Sequence, residues 1–251
     1  MSTRCLNVSS YRFVALDELP ILQERLKSAA RALGLRGTVI LATEGINLFL
    51  AGPAEAVRGF LDMLREDSRF AGLLAKESWS DGQPFKQLKV KIKQEIIRMN
   101  RPAIQPLAGR APSVSPATLA RWLLQGHDDE GREVVMLDTR NTFEVNFGAF
   151  NGAIHWGLEK FNDFPAALQA HADALKGKTV VSYCTGGIRC EKATLLMHEV
   201  GLSSSLQLEG GILRYFEQTE GAPGWSGTCF VFDERESLAP NLESASVESP
   251  S

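Results

Sequence analysis

The most informative part of this sequence is the segment from residue 180 to residue 190, which reads Val180-Val181-Ser182-Tyr183-Cys184-Thr185-Gly186-Gly187-Ile188-Arg189-Cys190. Its apolar first half predicts a buried strand, and the residues that follow it take up helical spacing. Cys184 then lies where backbone N–H groups, a helix N-terminus and Arg189 all favour the thiolate over the thiol. We interpret the loop as a cradle for a nucleophilic sulfur. The alternative is a packed core thiol, since free cysteine is among the most buried residue types.

The composition is that of an ordinary globular protein. The chain has 251 residues, of which 44% are hydrophobic and 23% charged, enough for two modest domains. It contains no apolar run of membrane-spanning length and no apolar core of a signal peptide, so we expect a cytoplasmic protein. Its four scattered cysteines argue against a disulfide scaffold. The five residues between Cys184 and Cys190 argue against a zinc knuckle.

Charge is distributed unevenly along the chain. Residues 1–112 carry 17 Lys and Arg against 11 Asp and Glu, whereas residues 113–251 carry 10 against 19. This asymmetry predicts an anionic partner for the basic half, and nucleic acid is one candidate. The alternative is that charge simply drifts between two domains.

Residues 1–100 have the pattern of a ferredoxin-like β-α-β-β-α-β domain. Alternating and helical apolar spacing predicts strands over residues 5–15, 38–42, 46–50 and 88–99, and helices over residues 17–33 and 54–66. Gly34 and Pro53 are placed where one helix ends and the next begins. This part of the chain is therefore an α/β domain of its own.

The predicted strand over residues 88–99 carries a row of lysines. Lys89, Lys91 and Lys93 alternate with apolar residues, which places the ammonium groups on one face. The densest basic part of the chain consists of Lys86, Lys89, Lys91, Lys93, Arg98 and Arg101. Lysines on an outer face also protect an edge strand from pairing, which is the alternative. We favour polyanion binding because the row coincides with the positively charged half.

The remainder of the chain predicts a second α/β domain. Residues 101–112 are rich in proline and glycine, which is typical of an interdomain linker. Strands and helices alternate over residues 113–235, which predicts a parallel sheet flanked by helices, with Cys184 at the carboxyl end of a strand. Residues 236–251 are rich in Ser, Glu and Pro and are predicted to be a disordered tail.

The second domain resembles a rhodanese domain. The segments that carry the resemblance are Asp138-Thr139-Arg140, Glu144, Gly152-Ala153-Ile154, the loop Cys184–Arg189 and Leu208-Glu209-Gly210-Gly211-Ile212. The resemblance implies that Cys184 forms a persulfide cradled by the loop amides and Arg189. It also implies that Asp138 and Arg140 brace the fold through an ion pair.

Over most of residues 5–235 the chain resembles the rhodanese-domain tRNA uridine hydroxylases. The shared segments are Thr43-Glu44-Gly45-Ile46-Asn47, Lys89-Val90-Lys91, Asp138-Thr139-Arg140-Asn141, the run from Tyr183 to Lys192, and the run from Gly227 to Arg235. This resemblance implies an enzyme that forms 5-hydroxyuridine at the wobble position of tRNA, with molecular oxygen as the co-substrate. The polyanion partner of the basic residues is then tRNA.

The residues themselves predict a reactive thiol without a recognisable cofactor. No dinucleotide-binding motif follows a strand, and the four histidines are dispersed, so no metal site is predicted. Cys184 either adds to carbon 6 of uracil or carries an oxidised sulfur, within an anion-stabilising shell. That shell consists of Thr185, Gly186, Gly187, Ile188 and Arg189. Cys190 is a candidate resolving cysteine, with a packed thiol as the alternative.

Two other classes of function fit parts of the sequence. The loop alone permits a rhodanese-type sulfurtransferase that passes sulfur from a Cys184 persulfide to an acceptor. A non-catalytic RNA-binding adaptor is the third class, but the presence of both Cys184 and Arg189 argues against it. Trp79, Phe85 and Trp156 are candidates for base stacking, with core packing as the alternative. Trp225 is a candidate gate over the site. No feature of the sequence indicates an oligomeric state.

Overall fold

A computed structural model describes residues 4–245. The chain forms two compact units. One contains the residues up to Arg98 together with Phe232–Glu236, and the other contains Met99–Val231 and the residues from Ser237 onward. Within residues 4–245, no helix combines the length and the apolar character needed to cross a membrane.

The first unit has one five-stranded sheet and two helices. Its elements are β1 (Cys5–Phe13), α1 (Leu19–Ala32), β2 (Arg36–Ala42), β3 (Gly45–Gly52), α2 (Ala54–Glu66), β4 (Ala75–Ser80) and β5 (Leu88–Ile92). The strand order is β4-β1-β3-β2-β5. The first four strands pair antiparallel, and β5 pairs parallel to β2. Apolar residues at helical spacing on α1 and α2 pack against the alternate residues of the strands, which forms the core.

The β-α-β-β-α-β arrangement is present, but its last strand was predicted at the wrong place. The strand that completes the arrangement is Ala75–Ser80, which pairs with β1 at one edge of the sheet. The predicted strand over residues 88–99 is the shorter, additional strand β5 at the opposite edge. After β5 the backbone leaves the sheet. Ile96 donates its N–H to the Glu44 carboxylate, and the Ile96 carbonyl accepts a hydrogen bond from the Asn47 amide.

The segment Phe232–Glu236 packs on the first unit, whereas the sequence placed residues 232–235 in the second domain. The ring of Phe232 lies 6.3 Å from that of Phe49. Arg235 pairs with Asp233 at 2.6 Å and also donates to the Ser78 hydroxyl at 2.8 Å. Because Arg235 and Asp233 are both largely buried, this segment is an integral part of the first unit.

The second unit is built on a parallel sheet. Its α-helices and four of the strands of its sheet are α3 (Pro116–Gln125), β7 (Val134–Asp138), α4 (Thr142–Val145), β9 (Ile154–His155), α5 (Phe164–His171), β10 (Thr179–Tyr183), α6 (Ile188–Glu199), β11 (Ser205–Leu208) and α7 (Gly211–Gln218). Short strands are β6 (Ser113–Val114), β8 (Gly148–Phe150), β12 (Trp225–Gly227), β13 (Cys229–Phe230) and β14 (Ser237–Leu238). The sheet order is β6-β11-β10-β7-β9 and every pairing in it is parallel, as predicted.

Two boundary predictions are wrong. Residues 101–112 were predicted to be a linker, but Ile104 and Ala111 are buried in the second unit and Arg110 pairs with Glu191. Residues 236–251 were predicted to be a disordered tail, but strand β14 pairs with β13 and buries Leu238 completely. Both predictions were based on composition. Composition does not show that a few buried apolar side chains hold each segment in place. The rest of the predicted tail, residues 246–251, lies outside the described residues.

The parallel sheet places the ends of its central strand, β10, and of the neighbouring strand β7 side by side. β7 ends at Asp138 and β10 ends at Tyr183, and these two residues are partners in register. The segments that follow both strands therefore meet at one edge of the sheet. This edge carries the loop that contains Cys184.

Candidate active site

Cys184 lies between the end of β10 and the start of α6. Its side chain is completely buried. Gly187 directs its N–H to the Cys184 Sγ at a nitrogen–sulfur distance of 3.1 Å. Gly187 has a φ of +94°, a left-handed conformation that a residue with a side chain rarely adopts. Of the predicted loop residues, Gly187 and Arg189 interact with the sulfur, while the roles of Thr185, Gly186 and Ile188 in an anion-stabilising shell stay predictions.

The surroundings of Cys184 favour the thiolate. Burial alone raises the pKa of a thiol, but a hydrogen bond from Cys190, the charge of Arg189 and the N–H groups of Arg189 and Gly187 lower the pKa of Cys184 to about 5. Burial and the neighbouring Cys184 anion raise the pKa of Cys190 well above its ordinary value. The pair is therefore one thiolate, Cys184, and one thiol, Cys190, at neutral pH.

A buried carboxylate holds Arg189 in place. The two terminal nitrogens of Arg189 donate to the two oxygens of Glu144 at 2.5 and 2.7 Å. The Thr185 hydroxyl donates to the same carboxylate at 3.3 Å. Burial raises the pKa of Glu144, but Arg189 more than offsets this and the pKa lies below its ordinary value. Because both ends of the guanidinium bind Glu144, Arg189 acts on the sulfur through its charge and its backbone N–H.

A second buried ion pair supports the segment that carries Glu144. Arg140 and Asp138 have no solvent exposure and approach to 2.6 Å, which confirms the predicted bracing pair. Arg140 also donates to the carbonyls of Glu144 and Gly148. The pair therefore connects the end of β7 to α4 and β8.

The N-terminus of α7 fixes the other side of the loop. The N–H groups of Ile212 and Leu213 donate to the carbonyls of Cys184 and Thr185 at 3.0 and 3.1 Å. A Cβ at Gly211 would lie 2.3 Å from the Cys184 carbonyl oxygen and 2.6 Å from the Gly187 nitrogen. Only glycine permits this approach, so Gly211 is part of the site's construction.

Sequence reasoning did not assign site roles to Glu144, Thr139, Gly211 and Cys229. The Thr139 hydroxyl lies 3.6 Å from the Cys190 sulfur and donates to the Tyr183 carbonyl. Cys229 is buried next to Thr185, and burial raises its pKa to about 12, so it is a thiol. Thr139, Glu144 and Gly211 lie within the rhodanese-like segments, and that resemblance was the signal available for them. Cys229 lies within the hydroxylase-like run from Gly227 to Arg235, but its contact with Thr185 could not be derived from the sequence, since the two residues are far apart along the chain.

The basic residues are exposed but do not all belong to one unit. Lys86, Lys89, Lys91, Lys93 and Arg98 lie in the first unit, and Arg101 lies in the second. On β5, Lys89 and Lys91 are exposed, while Leu88 and Val90 pack against the core on the opposite face. Lys86 pairs with Glu234 at 3.7 Å. The structure thus confirms the alternation of charged and apolar faces and leaves the RNA-binding role a prediction.

The tryptophans pack within their own units. Trp79 packs against the core of the first unit. Trp156 stacks on His171 with 5.5 Å between ring centres and also contacts Phe164. Trp225 packs edge-on against Phe150 and lies under the Arg140 guanidinium. These contacts favour the packing alternatives over base stacking by Trp79 or Trp156 and over a gate at Trp225.

Two family models match the chain. One, described as UPF0176 acylphosphatase like domain, matches residues 5–96, and the other, described as Rhodanese-like domain, matches residues 119–218. A solved structure of the rhodanese-like domain of an Anabaena protein is 20% identical and covers 46% of this chain and 79% of that domain, with a TM-score of 0.37. The two matched models and the two observed units agree with the predicted fold class.

Curated relatives match the chain over nearly its whole length. A protein of Variovorax paradoxus named tRNA uridine(34) hydroxylase is 60% identical over 97% of this chain and 92% of its own length. Relatives of the same name from Delftia acidovorans and Bordetella petrii are each 61% identical, over 94% and 96% of this chain and 90% and 95% of their own lengths.

Proposed function

Because this chain belongs to the tRNA uridine(34) hydroxylase family, we propose that it converts uridine 34 of tRNA to 5-hydroxyuridine. In this proposal dioxygen is the co-substrate and Cys184 is the essential nucleophile. Membership of the family makes it a tRNA-modifying enzyme. The role of Cys184 is supported by one observation. Its side chain is a buried thiolate that accepts a hydrogen bond from the Gly187 N–H, and its pKa is about 5. A thiolate is the nucleophilic form of cysteine, so Cys184 needs no separate base at neutral pH.

The chemistry begins with addition of the Cys184 thiolate to carbon 6 of the uracil ring. A sulfur–carbon bond forms, and the electron pair of the ring double bond moves to the carbonyl oxygen at carbon 4. The enolate makes carbon 5 a nucleophile toward dioxygen, which adds there and takes up a proton to become a hydroperoxide. Loss of the proton from carbon 5 and departure of the thiolate then restore the ring. The N–H groups of Gly187 and Arg189 stabilise the sulfur anion before attack and on departure.

The balance of the reaction gives Cys190 a role. Transfer of one oxygen atom from dioxygen leaves the second atom to be reduced to water, which takes two electrons and two protons. The pair Cys184 and Cys190 supplies both electrons and one proton, and the second proton comes from solvent. The released Cys184 thiolate takes the outer oxygen of the hydroperoxide, which leaves 5-hydroxyuridine, and the resulting sulfenic acid condenses with the Cys190 thiol to give water and one disulfide. The Cys190 thiol already hydrogen-bonds to the Cys184 sulfur. Cys190 is therefore the resolving cysteine, and a small thiol reductant regenerates the pair after each cycle.

The oxygen source and the nucleophile are tested together with purified protein and unmodified tRNA. Under heavy-isotope dioxygen, nucleoside mass spectrometry is expected to show 5-hydroxyuridine that carries the label. A label taken from heavy-isotope water instead would overturn the role of dioxygen. Cys184→Ser is expected to form no product, while Cys5→Ser, a matched change in the first unit, keeps wild-type activity. Product formation by Cys184→Ser would overturn the nucleophile.

The role of Cys190 is tested by single-turnover reactions without added reductant. The wild-type protein is expected to form at most one 5-hydroxyuridine per chain and to lose two free thiols in doing so. Cys190→Ser keeps a hydrogen-bond donor beside Cys184 but cannot form the disulfide, so it is expected to need an added thiol for any product. Repeated turnover by the wild-type protein with all thiols intact contradicts the resolving role.

The exposed basic residues are proposed to bind the tRNA backbone. They are Lys86, Lys89, Lys91, Lys93, Arg98 and Arg101. On strand β5 the ammonium groups of Lys89 and Lys91 lie on one exposed face, and binding of phosphates to them releases counterions. Since its substrate is tRNA, the protein is proposed to act in the cytoplasm. The sulfurtransferase alternative is not favoured, because the relatives compared above carry the hydroxylase name.

A further inference from the structure

Thr139 contacts both halves of the reactive cysteine pair. It follows the last residue of β7, and its side chain is completely buried. Its backbone N–H and its hydroxyl both donate to the carbonyl of Tyr183, at 3.0 and 2.9 Å, and Tyr183 directly precedes Cys184. The same hydroxyl oxygen lies 3.6 Å from the Cys190 sulfur. One side chain therefore touches the backbone that carries Cys184 and the sulfur of Cys190.

A second buried hydroxyl also reaches the Cys190 sulfur. Ser182, on β10, has no solvent exposure and interacts with that sulfur. The Ser182 oxygen lies 2.9 Å from the Thr194 hydroxyl, and it donates to the Leu206 carbonyl at 3.3 Å. Burial and the Cys184 anion raise the pKa of Cys190, and the two hydroxyls act in the opposite direction. The Cys190 sulfur thus lies among groups that can donate hydrogen bonds to it.

The Thr139 hydroxyl can serve either of its two acceptors, because a hydroxyl hydrogen rotates about the carbon–oxygen bond. While Cys190 is a thiol bound to the Cys184 thiolate, the Thr139 proton is directed at the Tyr183 carbonyl. A sulfur that becomes an anion is a stronger acceptor than a neutral carbonyl. The Tyr183 carbonyl keeps the Thr139 N–H when the hydroxyl proton turns to the sulfur. The change of partner therefore leaves no buried group without a hydrogen bond.

We propose that Thr139 assists the closure of the disulfide by donating a hydrogen bond to the Cys190 sulfur as negative charge develops there. The proposal rests on the proposed function, which makes Cys190 the resolving cysteine. In this step the Cys190 sulfur attacks the sulfur of the Cys184 sulfenic acid. A sulfur–sulfur bond forms, the sulfur–oxygen bond breaks, and the proton of Cys190 leaves with the hydroxide as water. Thr139 keeps its own proton and stabilises the charge while the proton of Cys190 is transferred.

The test compares two fates of the Cys184 sulfenic acid in the purified full chain, with hydrogen peroxide as the oxidant and no tRNA. One peroxide oxidises the thiolate to the sulfenic acid and is itself reduced to water. The sulfenic acid then closes the disulfide with Cys190, or a second peroxide oxidises it to the sulfinic acid. Mass spectrometry of the quenched and alkylated protein counts both products. The peroxide concentration that gives equal amounts of the two measures how fast Cys190 closes the disulfide.

The variants separate the hydroxyl from the shape of the side chain. Thr139→Val keeps the shape and the backbone N–H but lacks the hydroxyl, and it is expected to lower this peroxide concentration about tenfold. Thr139→Ala is expected to give the same fall, and Thr139→Ser to restore the wild-type value. The matched control is Thr219→Val, which removes a hydroxyl that donates to the Tyr215 carbonyl outside the site. It is expected to behave like the wild type.

Each contrary outcome has its own signature. Equal values for Thr139→Val and the wild type overturn the role of the hydroxyl, and so does a value for Thr139→Ser as low as that of Thr139→Val. Sulfinic acid without any disulfide between Cys184 and Cys190 in the wild type overturns the resolving role of Cys190 and the assistance by Thr139 with it. Failure of the proposed hydroxylation is distinguishable, since the wild type would then close the disulfide with peroxide but form no 5-hydroxyuridine in tRNA.

Discussion

A buried thiolate is unstable unless its charge is compensated, and Cys184 has several compensating groups. The Gly187 N–H meets the sulfur directly, and Arg189 supplies the nearest positive charge. Glu144 in turn binds both ends of the guanidinium, so the site contains two negative groups around one positive group. The reactivity of Cys184 therefore depends on residues that do not touch the sulfur themselves.

The charge of Arg189 is predicted to set the protonation of Cys184. In the double variant Glu144→Gln, Arg189→Gln, the two amides retain a hydrogen bond while the positive charge near the sulfur is lost. The pKa of Cys184 is expected to rise from about 5 toward the ordinary thiol value of about 8.5. The ultraviolet absorbance of the thiolate, followed against pH, measures this shift.

Two single variants separate the effect of the Arg189 charge from the effect of breaking its ion pair with Glu144. Arg189→Lys keeps the charge, so its Cys184 pKa is expected to stay near that of the wild type. Arg189→Gln alone leaves the Glu144 carboxylate buried without its cation, which is expected to cost about 3–5 kcal/mol of folding stability. A double variant whose thiolate titrates like the wild type would show that the backbone N–H groups suffice.

At the scale of the elements, α7 is predicted to hold the Cys184 loop in place. Its first residue, Gly211, has no side chain and therefore allows the loop to approach closely. Gly211 has a φ of +68° and lies against the backbone of Cys184 and Gly187. Gly211→Ala must shift that backbone as well as adopt a left-handed conformation. It is expected to lower the free energy of unfolding by about 2–4 kcal/mol. It is also expected to reduce activity, because the loop that contains Cys184 is displaced.

Gly221 offers a matched control for this substitution. Its φ is +67°, yet nothing lies within 4 Å of the position where a Cβ would be. Gly221→Ala therefore carries only the conformational penalty, about 1 kcal/mol, and is expected to leave activity unchanged. Urea denaturation measures both variants. Equal losses would mean that the packing of Gly211 against the loop is unimportant.

Strand β5 is predicted to contribute to RNA affinity through charge alone. Lys89→Gln and Lys91→Gln each remove one exposed ammonium group from the same face. Each is expected to reduce the slope of log affinity against log salt by about 0.7–0.9, if that lysine meets one phosphate. The control is Lys27→Gln, on α1 of the same unit, which is 37% exposed and pairs with Glu24. An unchanged slope in both β5 variants would assign these lysines to protection of the edge strand.

The elements that the sequence predicted well are those with local signals. β10, the loop and α6 occupy the 21 residues from 179 to 199 and contain an apolar run, two glycines and helical spacing. Strand β4 was missed because Lys76, Glu77 and Ser78 interrupt its apolar pattern, as an edge strand with little buried surface permits. The Glu144–Arg189 pair could not be derived locally, since 45 residues separate its partners. Tertiary packing alone brings them together.

At the scale of the whole molecule, ionised groups in the interior link folding to pH. Glu144 has a pKa below its ordinary value because of Arg189, despite burial. Its contribution to stability is present above the unfolded pKa of about 4 and is lost as the pH falls through the folded value. Asp67 behaves in the same way, with hydrogen bonds from Arg69 lowering its pKa to about 2. These two carboxylates make the folding stability decrease in acid. The Cys184 thiolate makes the stability depend on pH in the neutral range as well.

The thiolate of Cys184 is predicted to make stability rise with pH across the neutral range. Between about pH 5 and the ordinary thiol pKa of about 8.5, the folded chain binds one proton fewer at Cys184 than the unfolded chain. The free energy of unfolding therefore increases with pH, by about 1.4 kcal/mol per pH unit in the middle of this window. Cys190 adds nothing there, because it is a thiol in both states. In urea denaturation at several pH values, Cys184→Ser is expected to lack this slope, whereas Cys5→Ser retains it. Parallel slopes for wild type and Cys184→Ser would mean that Cys184 is protonated in the folded chain, and the nucleophile would then need a base to activate it.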